Sequence, residues 1–406
     1  MFPVQYPFYL VVQMAVCSQV VHFNASSCLC QTFTTYLVLP ILYSAMFLAG
    51  LFGNILSIWV FITKISIKTP THIYLINLGV SNLILCLTMP FNALYYALST
   101  SWSSSSLKCQ LAINVLTPVL HSNIEGSMLI LTWLALTRFA TLIQHNYGHR
   151  PSRCTKFLPG IFLTRLQQTP FAIGMCVGTW AFVLMAIVPT VVVYATVETD
   201  RVENSSEQPC YSVPVEVGGS GSQAFAIVGI TIFFLCLVLV MSAYIAVIRH
   251  INRTKTHRII PDTQRVLSRV CRNILVIQIV LVICFLPHHT YKAVFIAMVQ
   301  NDQSGDLLME CHHFSTHIEV KNLLLSLAVL RCSTDPIIYF LLDKMFKRYI
   351  CGLFRESVSI RDSQLSRTMN ELGQLTQCDS GILKGILKHE AASHSKDSNF
   401  GPSVPS

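Results

Sequence analysis

The chain has 406 residues, of which 52% are hydrophobic and only 12% charged, with a formal net charge of +9. Soluble domains carry about 25% charged residues, so this composition excludes a soluble globular protein. It also excludes disorder over most of the chain, and a nucleic-acid binder despite the positive balance. The mean hydropathy of +0.55 belongs to a chain that lies mostly in a bilayer.

A helix crosses roughly 30 Å of hydrocarbon with about 20 mostly apolar residues. Stretches free of Asp, Glu, Lys and Arg run from Gln31 to Thr63, Thr69 to Leu107, Leu166 to Val197, Val217 to Ile248 and Asn273 to Tyr291. Two more apolar stretches hold isolated charges: Cys109 to Thr137 contains Glu125, and Asn322 to Leu342 contains Arg331 and Asp335. None shows a sustained two-residue alternation, so the seven read as helices of an all-α membrane protein rather than as barrel strands.

Basic residues set the orientation. Lys64 and Lys68 follow the first span; Arg150, Arg153, Lys156 and Arg165 follow the third. Arg249, Arg253, Lys255, Arg258, Arg265, Arg269 and Arg272 follow the fifth, and nine more lie beyond the seventh. The opposite loops hold only Lys108 and Arg201. The amino terminus is therefore expected outside the cell and the carboxyl terminus in the cytoplasm. The sequons at Asn24 and Asn204 fall on the outer side as glycosylation acceptors, whereas the one at Asn252 falls inside and should be silent. Phe8 to Val21 is apolar enough for a signal-peptide core, but no basic residue precedes it, so residues 1–22 read equally as cleaved or retained.

The expected organisation is an extracellular amino terminus over residues 1–35, a seven-transmembrane helix bundle over 36–342, a short amphipathic interfacial helix over 343–355 and a cytoplasmic tail over 356–406. Phe346, Tyr349, Ile350, Leu353 and Phe354 share one helical face, with Lys344, Lys347 and Arg348 interleaved, which suits the inner leaflet of the membrane. Cys351 beside them is a lipidation candidate, and a plain packing cysteine is the competing reading. The tail is polar and Ser-rich, a composition that predicts disorder. Of 15 cysteines, many fall inside spans and read as small packing residues. Cys17, Cys28, Cys30, Cys109, Cys210 and Cys311 fall outside them, in an oxidising compartment, with the pairing left open.

Residues in several spans resemble the rhodopsin-like (class A) G-protein-coupled receptors over roughly residues 35 to 355. The matches are Gly53-Asn54, Trp102 with Cys109 seven residues later, Trp180, Tyr244, Cys284-Phe-Leu-Pro287 and Asp335-Pro-Ile-Ile-Tyr339. Phe285 in place of the usual tryptophan, His289-Thr-Tyr-Lys292 and Lys321-Asn-Leu-Leu-Leu325 resemble the purinergic-like branch, although that branch often has Glu where Asn322 stands. Within it, Thr71-His-Ile-Tyr-Leu75 and Ser333-Thr-Asp-Pro-Ile-Ile338 resemble one particular member. The resemblance implies receptor activity, a Cys109–Cys210 disulfide, heterotrimeric G proteins as partners, arrestin on a phosphorylated tail, and contact with membrane lipids.

The resemblance also implies a small anionic ligand, phosphate-bearing or nucleotide-like, met by Lys292 and Lys321 at the pocket mouth. His289 and Lys292 are i,i+3 neighbours just outside Pro287 and share a face; two lysines snorkelling to the headgroups is the competing reading. His121 and Glu125 are i,i+4 in the third span, the resemblance putting His121 at ligand level and Glu125 one turn deeper. A carboxylate at that depth must be protonated or partnered, so a local His121–Glu125 bond stays open beside ligand contact. Cys311-His-His-Phe-Ser-Thr-His317 has metal-like residue types but no matched partner set, and no metal or cofactor is expected.

Departures from the family concern the switch. The acid that usually precedes Arg138 is Thr137, and the acid expected at the base of the sixth span is Leu267, so Arg138 loses its usual restraints and basal signalling should be high. Asn82 replaces an Asp that holds sodium in many relatives, and Arg331 enters the same pocket four residues before Asp335. Its guanidinium is expected to take the cation's place, paired with Asp335 and Asn82. Cys109 to Arg138 is about one turn longer than usual, Cys236 stands where proline is common, and the stretch from Arg138 to Trp180 is enlarged. Two rivals remain: a receptor acting mainly through ligand-independent basal activity, and a membrane transporter, which an internal repeat would favour and which this chain lacks. No nucleophile, base and orienting group assemble into an enzyme site.

Overall fold

The computed structural model describes residues 29, 31–66, 68–146, 160–193, 209–255, 272, 274–301, 314–353 and 355. Asn24, Asn204, Leu267, Cys28, Cys30, Cys311 and the tail from residue 356 lie outside them.

Seven helices are long and apolar enough to cross a membrane. We label them α1 (Thr34–Lys64), α2 (Pro70–Ser101), α3 (Leu107–Ile143), α4 (Thr169–Val193), α5 (Ser220–Lys255), α6 (Ile274–Asn301) and α7 (Ser315–Leu342). Among the described residues the only extended pairing is an isolated bridge between Ser103 and Pro209.

The buried share of each apolar span reflects its position in the bundle. In α3, 72% of the most apolar window is buried, against 22% in α4 and in the fifth span, so α3 is the axis and α4 and α5 present wide apolar faces outward. Phe52, Met185 and Leu235, all at least 66% exposed, lie on such faces, which is tolerable only where lipid replaces water. Polar side chains instead turn inward and knit helices together: Trp180 Nε1 donates to Asn77 Oδ1 at 3.0 Å, and Ser81 contacts both Asn123 and Ser127 between α2 and α3.

The extra length between Cys109 and Arg138 is taken up without loss of the disulfide. A π-helical turn at Ala112–Leu116 absorbs part of it, since each such turn accommodates an added residue. Cys109 and Cys210 are bonded with Cα atoms 5.8 Å apart, and Cys210 N donates to Trp102 O at 2.8 Å. α5 runs unbroken through Cys236. In the enlarged stretch before α4, the short helix Gly160–Leu166 seats Leu163 and Leu166 in a cluster with Phe139, Ile143, Val247 and Ile274. A separate unit begins at Lys347, in which residues 347–353 are helical and Cys351 is exposed.

Candidate functional site

At the disulfide end of the bundle a cavity of about 160 Å³ opens among α2, α3, α6 and α7. Tyr95, His121, His288, Lys292, Lys321 and Glu216 are among its lining residues. A second cavity of about 130 Å³ lies against α4 and α5 and shares His121 and Lys292 with the first, adding Glu125.

The two lysines are in different states. Lys321 Nζ sits 2.9 Å from Glu216 Oε2 and 2.6 Å from the Glu216 carbonyl oxygen. Asn322 Nδ2 and the Tyr95 hydroxyl also donate to that carboxylate, at 3.2 Å and 2.6 Å. Glu216 rides on the five-residue helix Val213–Val217 just after Cys210, and Gly218 turns the chain into α5 with a φ of 73°, a conformation open to glycine. Lys321 is therefore already neutralised by a residue that reading the sequence did not single out. Lys292 has one hydrogen-bond partner among the described residues, His121 Nδ1 at 3.4 Å.

The histidine expectation needs correcting. His288 lines the cavity and stacks on His121, with ring centroids 6.0 Å apart, whereas His289 is not among the cavity's lining residues. His289 is buried one layer deeper, its ring 4.3 Å from that of Phe233 and its Nδ1 3.9 Å from Glu125 Oε1. At 100° per residue, a four-residue offset leaves about 40° between side chains and a three-residue offset about 60°, so His288 lies closer than His289 to the azimuth of Lys292. The local His121–Glu125 bond does not form: His121 meets Lys292 on α6, and Glu125 comes no nearer to α6 than the 3.9 Å to His289.

In the middle of the bundle, Arg331 and Asp335 are both fully buried. Arg331 donates from Nη1 to Asp335 Oδ2 and from Nη2 to Asn82 Oδ1, the latter at 2.8 Å. Asn82 Nδ2 reaches Asp335 Oδ2 at 2.8 Å, Asn54 Oδ1 at 3.0 Å and the Tyr339 hydroxyl at 3.2 Å. The guanidinium carbon also lies 5.5 Å from the centre of the Phe285 ring. That ring follows directly from the π-helical turn Leu281–Phe285, which loosens α6 ahead of Pro287. Sequence spacing paired Arg331 with Asp335 and the family resemblance added Asn82; the geometry joins the three and brings in Asn54 and Tyr339.

At the opposite end, Tyr244 packs against the cluster around Phe139 and Val247, and Arg138 precedes Phe139 in α3. The charge of Arg138 acts on Asp343, which ends α7. His72 Nε2 lies 2.8 Å from Asp343 Oδ2, and the Phe346 amide donates to Asp343 Oδ1 at 2.8 Å. Burial pushes the Asp343 carboxyl up, but the bonds from His72 and Phe346, with the charges of His72 and Arg138, outweigh it and hold it below the usual carboxylate range. The pairing with His72 is set locally: His72 is N3 of the capping box that opens α2 at Thr69. Among the described residues no cluster fits a metal ion; Cys311, His312 and His313 are not among them.

Residues 53–339 match the model of the family described as 7 transmembrane receptor (rhodopsin family). The chain belongs to that family. "Probable G-protein coupled receptor 82" of Mus musculus is 36% identical over 335 residues, covering 82% of this chain and 99% of that protein. Its Homo sapiens counterpart is 36% identical over 337 residues, covering 83% and 97%. The "N-arachidonyl glycine receptor" of Homo sapiens is 25% identical over 252 residues, covering 61% of this chain and 67% of its own. This rhodopsin-family chain is thus a multi-pass membrane receptor, and its relatives are receptors rather than enzymes or transporters.

Proposed function

We propose that this receptor binds an anionic ligand at Lys292 in its disulfide-end cavity and activates heterotrimeric G proteins at its Arg138 end. The observation that carries this reading is the contrast between the two cavity lysines: Lys321 is held by Glu216, whereas Lys292 faces both cavities with only a histidine nitrogen for a partner. A desolvated ammonium not locked in a contact ion pair attracts an acid, and a charge-assisted bond there contributes about 1.5–3 kcal/mol. A relative named for N-arachidonyl glycine fits the same chemistry, since an N-acyl glycine ends in a carboxylate.

In this reading the disulfide end faces outward at the plasma membrane, with glycosylated Asn24 and Asn204 on that side. The tail from residue 356 takes up phosphate for arrestin, and residues 343–355 lie on the inner leaflet with Cys351 lipidated. Ligand contact on α6 would pass through Phe285 to Arg331, Asp335, Asn82 and Tyr339, and so toward Arg138. Contiguity alone does not establish coupling, so the test is functional. A G-protein activation panel on wild type and Lys292→Ala, at matched surface expression, should show an anion-dependent response in the wild type and its loss in the variant. Equal responses would sink the proposal. A second reading, signalling mainly from the unliganded state, is favoured by Thr137 standing where the usual acid would restrain Arg138; it expects a signal that Lys292→Ala leaves untouched.

A further inference from the structure

The second cavity sets an acidic side chain opposite the lysine that the anion-binding reading rests on. Glu125 lines it together with Lys292 and His121. Its Oε2 is buried and has no hydrogen-bond partner among the described residues, and its Oε1 has only the 3.9 Å approach of His289, beyond hydrogen-bond length. Both ring nitrogens of His289 are likewise unpartnered, so that contact does not satisfy the acid. No ion pair joins Glu125 to Lys292, although both face one cavity. An acid and an ammonium are thus held apart across the same space, each short of a full partner, where charges must be matched.

The surroundings keep the acid in that position. Gly229 of α5 lets the carboxylate lie against its backbone: a Cβ there would stand 2.8 Å from Glu125 Oε1. The α4 side and much of the α5 side of the wall are apolar, with Phe182 and Val183 from α4 and Phe225 and Ile232 from α5.

We infer that the ligand is a zwitterionic amphiphile, with its acidic group at Lys292 and His121, an ammonium at Glu125, and its apolar part against α4 and α5. This rests on the anion-binding reading of Lys292 and adds a second, opposite recognition element. The geometry explains how a pocket for an acid can carry a carboxylate: the two charges read two ends of one headgroup. A ligand with the acid alone would leave Glu125 desolvated and unpaired, which is the basis of discrimination.

The test uses full-length receptor in lipid nanodiscs and two probes differing by one group, lysophosphatidylethanolamine and its N-acetyl derivative, which keeps the phosphodiester and loses the ammonium. Wild type should bind the free amine about tenfold more tightly, a difference of about 1.4 kcal/mol. Glu125→Gln should bring the ratio close to unity without weakening the N-acetyl probe, and Lys292→Ala should weaken both probes alike. Gly229→Ala, which retains every charge and crowds the carboxylate, should also shrink the ratio, and it stands in if Glu125→Gln does not fold. Equal binding of the two probes by wild type, with Lys292→Ala still weakening both, overturns the zwitterion assignment and leaves the anion site standing. Lys292→Ala weakening neither probe overturns the anion site. Failure of both probes to bind saturably overturns both.

Discussion

Two groups of charges lie in the bundle, and they are arranged in opposite ways. Around Arg331 the charges are in contact: guanidinium, carboxylate and amide form one network, fully buried. In the disulfide-end cavities Lys292 and Glu125 stand apart, one on a histidine nitrogen and the other with a bare oxygen. The first arrangement is closed as a charge pair and holds helices α2 and α7 together, with only Arg331 Nε and Asp335 Oδ1 left without partners among the described residues. The second is complete only when something carrying the matching groups enters. A charge pair in contact is structure; a charge pair held open is recognition.

Breaking the closed group should have the largest effect. Arg331→Leu leaves Asp335 buried without its counter-charge, a loss of about 3–5 kcal/mol. Melting of the purified receptor should show a steep drop or no folded yield, and Arg331→Leu/Asp335→Asn should recover much of it. A single variant as stable as wild type would remove the pair from its structural role. The same network carries its own cation, so sodium at about 0.15 M should change neither melting nor ligand affinity relative to potassium; a sodium-specific shift would show that Arg331 does not fill that place.

Within the open group, Glu216 marks the border between the two behaviours, because it converts Lys321 from an open charge into a closed pair. Glu216→Gln should free Lys321 and raise the affinity for the N-acetyl probe about tenfold, in line with one added charge-assisted contact. Unchanged affinity would mean that Lys321 is out of the ligand's reach even when released.

These residues also show what was legible beforehand. Apolar runs predicted the seven spans, because length and burial are written in composition. Arg331 and Asp335 were legible as a pair because i,i+4 spacing fixes a shared helix face, and Asn82 joined them through the family resemblance. Glu216 was not: it sits in a loop segment with no periodicity and finds Lys321 105 residues away, a pairing that only the fold and the adjoining disulfide create. The choice between His288 and His289 turned on tens of degrees around α6, finer than a shared-face argument can decide. Asp343 was missed for a related reason: a residue ending a helix was read as a boundary and not as a partner for another helix.

Asp343 bears on the smallest and most discriminating of the expected effects. The absence of an acid before Arg138 and at the base of the sixth span led to an expectation of high basal signalling, since surface-type ion pairs contribute only about 1 kcal/mol and two were lost. Asp343 returns part of that restraint from a different helix, its charge acting on Arg138 while its oxygens hold His72 and the Phe346 amide. Asp343→Asn removes the charge and keeps one acceptor oxygen for the Phe346 amide, and His72→Ala is the control for the His72 bond that the variant also loses. The variant should keep its melting temperature within a few degrees and raise G-protein activation by the unliganded receptor about two- to fivefold at matched surface expression, the factor that 0.5–1 kcal/mol supplies. Unchanged basal signal would mean that Asp343 does not restrain Arg138, and a collapse in stability would make Asp343 a structural cap whose charge does not reach the switch.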